Sequence, residues 1–454
     1  MAGPSLPNAD MRVGACGPPR NGNRALASTS KLLMTTSVAM GLALTSVTAA
    51  WSQPPKPSFP PGGDYAGVAG SAAENARITA LCGANRNAAD GYAPPPAFPG
   101  QTKAPQAKAR EAFDVDVVAK IDRPWGLAVL PDGRVLVSIR AGGLRIIDKD
   151  GTVSEPLAGS PVIQTARLAA MYDVSLDRGF AKNRTLYMGY VTRLSATEPA
   201  AVGRIASAKL SADGKALEDI KVLREGPDLL PRRIVQARDG TLLIPSAVID
   251  SGGPNPQSLQ SQLGKILRIN TDGSIPKDNP FAKDATANPA IYALGFRDVH
   301  GAAIDPTTGK FWVAENTPMG GDELNLIKPG GNYGFPVISY GRENGGGLIN
   351  GGKTAQADME QPVYYWNPSI APGSLMFYTG AALPGWKGSV FLTGLSGKQL
   401  VRLEMKGGKV AAEEKLLMDR CVRMKSVAQG PDGLIYVTTD EPKAELLRVR
   451  PAKK

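Results

Sequence analysis

The chain repeats one signal: a turn ending in Gly, followed at once by a short run of strand-forming residues. It reads Pro131-Asp132-Gly133 before Val135-Leu136-Val137, Asp239-Gly240 before Leu242-Leu243-Ile244, Thr308-Gly309 before Phe311-Trp312-Val313, and Asp432-Gly433 before Leu434-Ile435-Tyr436-Val437. Looser copies surround Gly179, before Thr185-Leu186-Tyr187, and Gly388, before Val390-Phe391-Leu392. Copies recurring at spacings of tens of residues mark a repeat architecture, because one such unit cannot bury its apolar face alone. The unit is all-β. Gly accepts the positive φ of tight turns, and the runs that follow are β-branched and aromatic. Alternating second runs such as Leu144-Arg145-Ile146-Ile147 and Leu446-Leu447-Arg448-Val449 read as strands with one face toward a neighbouring sheet. The pattern predicts an all-β, six-bladed β-propeller of four-stranded antiparallel blades around a central channel. A β-sandwich would not need the same turn so many times. The run Phe113-Asp114-Val115-Asp116-Val117-Val118 precedes the first copy and is expected to complete the last blade, closing the ring.

The 454 residues, 42% hydrophobic with 52 Gly and 38 Pro, suffice for a large core rich in turns. Three segments are expected: a signal peptide over 1–50, a Pro/Gly-rich N-terminal extension over 51–110, and the propeller over 111–454. Lys31, the apolar stretch from Leu32 to Val47 and Thr48-Ala49-Ala50 have the order of a secretory signal. The apolar stretch is shorter than the ~20 residues of a spanning helix, which argues against stable membrane insertion. The net charge of +11 falls to about +8 once residues 1–50 are removed, a balance that suits acidic ligands. No basic run interleaved with aromatics is present, which argues against nucleic acid. The extension, with Pro94-Pro95-Pro96 inside it, reads as an extended, poorly ordered lead-in, and the Gly-rich stretch from Glu343 to Gly352 reads as a second flexible segment. Beyond the signal segment two cysteines remain, Cys82 and Cys421. A disulfide tying the extension to the last blade and a pair of buried thiols both stay open, since the sequence does not supply the Cα distance.

The chain has one histidine, His300, which excludes multi-histidine metal sites. A hard cation must therefore use oxygen ligands. The segment Thr317-Pro318-Met319-Gly320-Gly321-Asp322-Glu323, with Asn332-Tyr333-Gly334 after it, offers carboxylates and carbonyls of the kind Ca²⁺ accepts; the plainer alternative is a surface turn with solvated acids. The segment Gly295-Phe296-Arg297-Asp298-Val299-His300-Gly301 precedes a strand and is able to hold an anion and move a proton, or to form only a structural salt link. Arg232-Arg233 and Arg423-Met424-Lys425 stand at corresponding places before other strand copies. Loops of this kind converge on one face of a propeller, so these cations can form a single anion site. No Ser nucleophile elbow, Walker loop or dinucleotide fingerprint is found.

With these residues in place, the chain resembles the glucose/sorbosone dehydrogenases, which include soluble aldose sugar dehydrogenases dependent on pyrroloquinoline quinone (PQQ). The resemblance rests on Pro124-Trp125-Gly126-Leu127-Ala128-Val129-Leu130-Pro131-Asp132-Gly133, Leu263-Gly264-Lys265-Ile266-Leu267-Arg268-Ile269-Asn270-Thr271-Asp272-Gly273, Gly320-Gly321-Asp322-Glu323-Leu324-Asn325-Leu326-Ile327, Asn332-Tyr333-Gly334-Phe335-Pro336, Glu360-Gln361-Pro362-Val363-Tyr364-Tyr365-Trp366 and Pro384-Gly385-Trp386-Lys387-Gly388. It implies a periplasmic or secreted propeller with PQQ and Ca²⁺ in a cleft on one face. By motif position, Arg297 and Asp298 meet PQQ, Arg423 and Lys425 face its carboxylates, and Tyr364 and Ser369 line the same pocket. The carbonyls of Thr317 and Pro318 hold the cofactor's Ca²⁺. Glu323 and Tyr333, with Asn344 and Gly346 through the main chain, match a second, structural Ca²⁺ site.

Two positions depart from the family pattern. Pro227-Asp228-Leu229-Leu230-Pro231-Arg232-Arg233 aligns with a segment whose histidine takes the sugar proton, so Leu229 stands at the base position. Leu168 replaces a glutamine that helps bind the cofactor. Loss of a general base costs ~10²–10⁴-fold in rate, and His300 is the one imidazole able to compensate as a catalytic group. The first expectation is a PQQ- and Ca²⁺-dependent dehydrogenase that oxidises an aldose or a related alcohol or aldehyde, as a monomer or dimer, with an electron acceptor the resemblance does not name. Two other expectations are a catalytically degenerate propeller that binds a ligand or protein, and a Ca²⁺-dependent lactonase-like hydrolase.

Overall fold

The computed structural model describes Cys82 and residues 93–164, 168–193, 195, 200–248 and 256–453. All of them fall in the larger of two compact units, Phe59–Lys454, and the expected signal peptide lies outside the described residues. Six antiparallel sheets follow one another along the chain. Blade 1 comprises Pro124–Val129, Val135–Ile139 and Leu144–Ile147; blade 2 comprises Ala170–Leu176, Thr185–Arg193, Ala201–Leu210 and Leu217–Gly226. Blade 3 holds Val235–Gln236, Leu242–Ser246, Lys265–Ile269 and Ile291–Leu294, and blade 4 holds Asp298–Ile304, Phe311–Asn316, Asp322–Leu326 and Tyr364–Trp366. Blade 5 holds Pro372–Phe377, Val390–Gly394, Gln399–Lys406 and Lys409–Leu416. Blade 6 joins Met424–Gln429, Ile435–Thr439 and Ala444–Pro451 to the N-terminal strand Phe113–Ile121, which pairs antiparallel with the last strand from Phe113↔Pro451 to Ile121↔Ala444. This closes the ring as the sequence predicts. Blade 1 has three strands, with a single Ile147–Val153 bridge where a fourth would lie.

The repeated turns join each innermost strand to the second. In the Asp-Gly copies the Asp carboxylate accepts the backbone N–H two residues on, as Asp132 does from Arg134 and Asp432 from Leu434, while Gly133 (φ 90) and Gly433 (φ 76) take the left-handed conformation. The looser copy in blade 2 solves the same problem differently. Gly179 (φ −92) precedes a one-turn helix, Phe180–Asn183, and Arg184 (φ 55) takes the left-handed position. Between consecutive blades lie apolar layers: Leu136 and Leu144 meet Met188 and Leu186 between blades 1 and 2, and Val437 and Leu447 meet Phe391 and Trp386 between blades 5 and 6. Fully burying one such side chain is worth about 1.5–3 kcal/mol, so these layers dominate the fold's stability.

The N-terminal extension departs from its sequence reading over residues 93–110, which bind the outer edges of blades 4 and 5. Tyr365 N donates to Gln101 O (2.8 Å), Ala107 N to Glu413 O (2.8 Å) and Glu413 N to Pro105 O (2.9 Å), so the extension satisfies strand edges that would otherwise face water. Cys82 forms a disulfide with Cys421, with Cα atoms 5.1 Å apart, on the loop that enters blade 6. The Gly-rich stretch is likewise held, by bridges Met319↔Arg342 and Arg342↔Leu348 and by the Arg342 guanidinium donating to the Gly346 carbonyl.

Candidate functional site

The innermost strands carry the site, and a repeated irregularity positions it. Opposite the second strand of its blade, each innermost strand has one residue too many near its start. The register jumps between Pro124 and Leu127, Met171 and Asp173, Val299 and Gly301, Pro372 and Ser374, and Met424 and Ser426. In blade 3 the bridge Pro231↔Ser246 and the pair Val235↔Leu243 enclose the same excess around Arg232-Arg233. A β-bulge turns its extra residue out of the pleat and re-aims the side chain. The residues so placed are Trp125, Tyr172, Arg232 and Arg233, His300, Gly373 and Lys425, and they meet at one end of the channel.

Arg233 is the hub of this group. Its guanidinium donates to Asp173 Oδ1 (2.9 Å) of blade 2, to the carbonyls of His300 and Gly373 (2.6 Å each) and to Ser426 Oγ (3.2 Å), so one side chain touches blades 2, 4, 5 and 6. Gly373 leaves the room: a Cβ there would lie 2.5 Å from the Lys425 carbonyl. Arg232 donates to Asp298 Oδ1 (2.8 Å) and lies 4.6 Å over the Tyr172 ring. Burial works against the Asp298 carboxylate, but Arg232 and its other polar neighbours together outweigh it and hold the group far below the ordinary range. Lys425 is 1% exposed, with Nζ 3.4 Å from the Trp125 ring centroid and 3.1 Å from His300 Nδ1. Burial, and then the Arg233 charge, push its amine well below the ordinary value.

His300 sits in the middle. Nδ1 faces Lys425 Nζ and, at 3.3 Å, Asn316 Nδ2; Nε2 lies 3.1 Å from Asp298 Oδ1, within ion-pair range but without hydrogen-bond alignment. Burial pushes the imidazole down to about 3 despite the Asp298 carboxylate, so it is neutral at ordinary pH. The structure thus brings Asp298, His300 and Lys425 together with Arg232 and Arg233, which the sequence marks as cations of one anion site, and adds Trp125, Tyr172 and Asp173, which it did not assign to a site. Their signal was present only as strand starts; no local pattern announces a bulge.

The other expected residues are held by other partners. Arg297 donates from its backbone N to Glu315 Oε2 (2.9 Å) and from its side chain to Asn316 O (2.9 Å). Arg423 is turned to Asp440 (2.8 Å). Tyr364 and Ser369 line a different cavity, of about 470 Å³, together with Lys398 and Glu413 between blades 4 and 5. There Tyr364 and Trp366 donate to Glu413 Oε2 at 3.1 and 2.9 Å, while Ser369 Oγ donates to Asp322 (2.7 Å). Leu229 packs in the core between blades 2 and 3 with Tyr187, Ile234 and Leu242; its neighbour Leu230 is the one against Trp125 and Tyr172. Leu168 is 38% exposed and offers its carbonyl to the Tyr172 hydroxyl (2.6 Å).

Thr317 and Pro318 are buried, Thr317 N donating to Asp322 Oδ1 (2.9 Å). Glu323 stands directly opposite Glu315 across blade 4, and both are buried. Burial drives Glu315 up to about 7, and burial with the Glu315 charge drives Glu323 well above the ordinary range. Asn325 Nδ2 donates toward Glu323 (3.2 Å), while Asn325 Oδ1 is buried without a hydrogen bond. Arg297, which donates its backbone N–H to Glu315 and lends its charge, offsets the burial of this patch of oxygen acceptors only in part. Tyr333 stacks on Phe296 with centroids 4.7 Å apart and donates to Leu326 O (2.6 Å), and Asn344 is exposed. Among the described residues no three His, Cys, Asp or Glu side chains converge as a metal site, so a cation here would need carbonyl and amide oxygens as well.

The family profile described as Glucose / Sorbosone dehydrogenase matches residues 121–448. The chain belongs to this family. Aldose sugar dehydrogenase YliI of Escherichia coli (strain K12) is 34% identical over 344 residues, 73% of this chain and 91% of that protein. The solved apo-form of the soluble aldose sugar dehydrogenase from Escherichia coli superposes with a TM-score of 0.69 at 32% identity, covering 75% of this chain and 100% of that one. The PQQ-bound form of the aldose sugar dehydrogenase from Streptomyces coelicolor gives a TM-score of 0.59 at 25% identity, covering 75% and 98%. Membership in a sugar dehydrogenase family makes the chain an oxidoreductase of PQQ type, and favours that reading over a degenerate binding propeller or a hydrolase.

Proposed function

We propose that the protein is an exported, PQQ- and Ca²⁺-dependent aldose sugar dehydrogenase that oxidises an aldose or a related alcohol or aldehyde. The observation that carries this reading is the convergence of Arg232, Arg233, His300 and Lys425 with the Trp125 ring at one end of the channel, in a chain whose relatives include a PQQ-bound enzyme. Cations beside an aromatic face suit a planar tricarboxylate quinone. Lys425, with Arg297 and Asp298 on the neighbouring strand start, would hold it, and the carbonyls of Thr317 and Pro318 would hold its Ca²⁺. When bound, the quinone supplies the two-electron acceptor. The chain's own part is to orient that anion, to exclude water with Trp125, Tyr172 and Leu230, and to keep His300 neutral. The buried Glu315–Glu323 pair with the orphaned Asn325 oxygen supports a structural Ca²⁺ held by Glu323, Tyr333, Asn344 and Gly346. The Cys82–Cys421 disulfide supports an oxidising compartment, the periplasm or outside the cell, and among the described residues no helix is long and apolar enough to cross a membrane.

Reconstitution tests the reading. Adding PQQ and Ca²⁺ to purified protein is expected to give a bound-cofactor spectrum and dye reduction with at least one member of a sugar panel. Absence of any PQQ binding overturns it, and binding without turnover across the panel returns the degenerate propeller.

A further inference from the structure

We propose that His300 is a positioning residue: as a neutral imidazole protonated on Nε2, it bridges Asp298 and Lys425 and fixes Lys425 Nζ against Trp125. The assignment starts from what faces each ring nitrogen. Nδ1 meets two N–H donors, Lys425 Nζ at 3.1 Å and Asn316 Nδ2 at 3.3 Å, and two donors are satisfied only by a lone pair. The proton then sits on Nε2, on the side of the ring that faces Asp298 Oδ1 at 3.1 Å. Asp298 is itself pinned by Arg232 (2.8 Å), and the ring stands edge-on to Trp125 with centroids 5.5 Å apart.

In this tautomer the one ring lone pair, on Nδ1, is engaged by Lys425 and Asn316, and the residue is 6% exposed, so His300 has no lone pair left to take a proton from a sugar. What it does control is the amine. The Lys425 side chain lies between the Trp125 face and the imidazole, and the backbone bulges at His300 and at Lys425 aim both side chains into the same space. Positions 300 and 425 are 125 residues apart in sequence, and the contact exists because two bulges coincide. This role deepens the dehydrogenase reading, in which Lys425 faces a cofactor carboxylate, but the tautomer is a property of the protein alone.

The chain has one histidine, so protein labelled with ¹⁵N-histidine reports on His300 without assignment. In the full-length protein without cofactor, Nδ1 is expected in the unprotonated range and Nε2 in the protonated range at neutral pH, with Nδ1 moving in Lys425→Met. A protonated Nδ1, a charged ring, or a Lys425→Met spectrum with Nδ1 unmoved overturns the bridge. A glutamine presents one acceptor and one donor at similar reach but cannot shuttle a proton. With PQQ and Ca²⁺ added, His300→Gln is expected to keep kcat within about threefold and an unchanged pH profile, while His300→Ala weakens PQQ affinity about tenfold. A loss of ~10²–10⁴-fold in kcat for His300→Gln makes the imidazole a proton acceptor and overturns the proposal. If wild-type protein binds no PQQ, the dehydrogenase reading falls while the tautomer result still decides the bridge.

Discussion

The two ends of the channel are built on opposite plans. At one end, turns such as Asp132-Gly133, Asp239-Gly240 and Asp432-Gly433 repeat one local solution, an Asp carboxylate capping a backbone N–H beside a left-handed Gly. At the other end the strand starts carry different residues whose contacts run across blades, as those of Arg233 do to Asp173, His300, Gly373 and Ser426. The repeated end costs little per residue and tolerates change. The varied end concentrates buried charge, which is where chemistry and fragility coincide.

The sharpest way to break this contrast is at Arg233. Arg233→Met leaves Asp173 buried and unpaired and removes links to blades 4, 5 and 6; a loss of about 3–5 kcal/mol is expected in urea unfolding. A change below 1 kcal/mol would place the hub on a par with the turns. Next is the clasp. Cys82→Ser frees the extension from the blade 6 loop and is expected to cost about 2–4 kcal/mol, with proteolysis appearing within residues 93–110. Third, the carboxylate pair makes stability pH-dependent. Because Glu315 is raised from 4.5 to about 7 in the folded state, its contribution is full below about pH 4.5 and is lost as pH rises through about 7. In thermal melts without Ca²⁺, stability is expected to fall over that window; Ca²⁺ restores it in wild type and not in Glu323→Gln. The smallest effects belong to the turn end: Asp432→Ala and Gly433→Ala are each expected to cost about 1 kcal/mol, the latter through a left-handed backbone at φ 76.

These differences track what was legible beforehand. The ring closure by Phe113–Ile121, the blade order and the turns were readable because each depends on residues adjacent in sequence or on a simple count of repeats. Residues 93–110 read as a lead-in because their contacts, such as Gln101 to Tyr365, lie more than 260 positions away. The family motifs pointed to Asp298 and Lys425 but set Tyr364 and Ser369 beside them, whereas the folded chain puts that pair in a separate cavity. Leu229 and Leu230 are adjacent in the connection between blades 2 and 3, and only the folded chain, which ties Leu230 to Ser246 and Ala247, decides which of them meets Trp125.

The sequence by itself determined the all-β propeller and its family, because turn chemistry and strand alternation are local properties that recur. The tertiary structure alone decided which charges pair and where His300 points. A bulge shifts register by one residue, costs nothing visible in composition, and brings together side chains such as His300 and Lys425 that no periodicity relates.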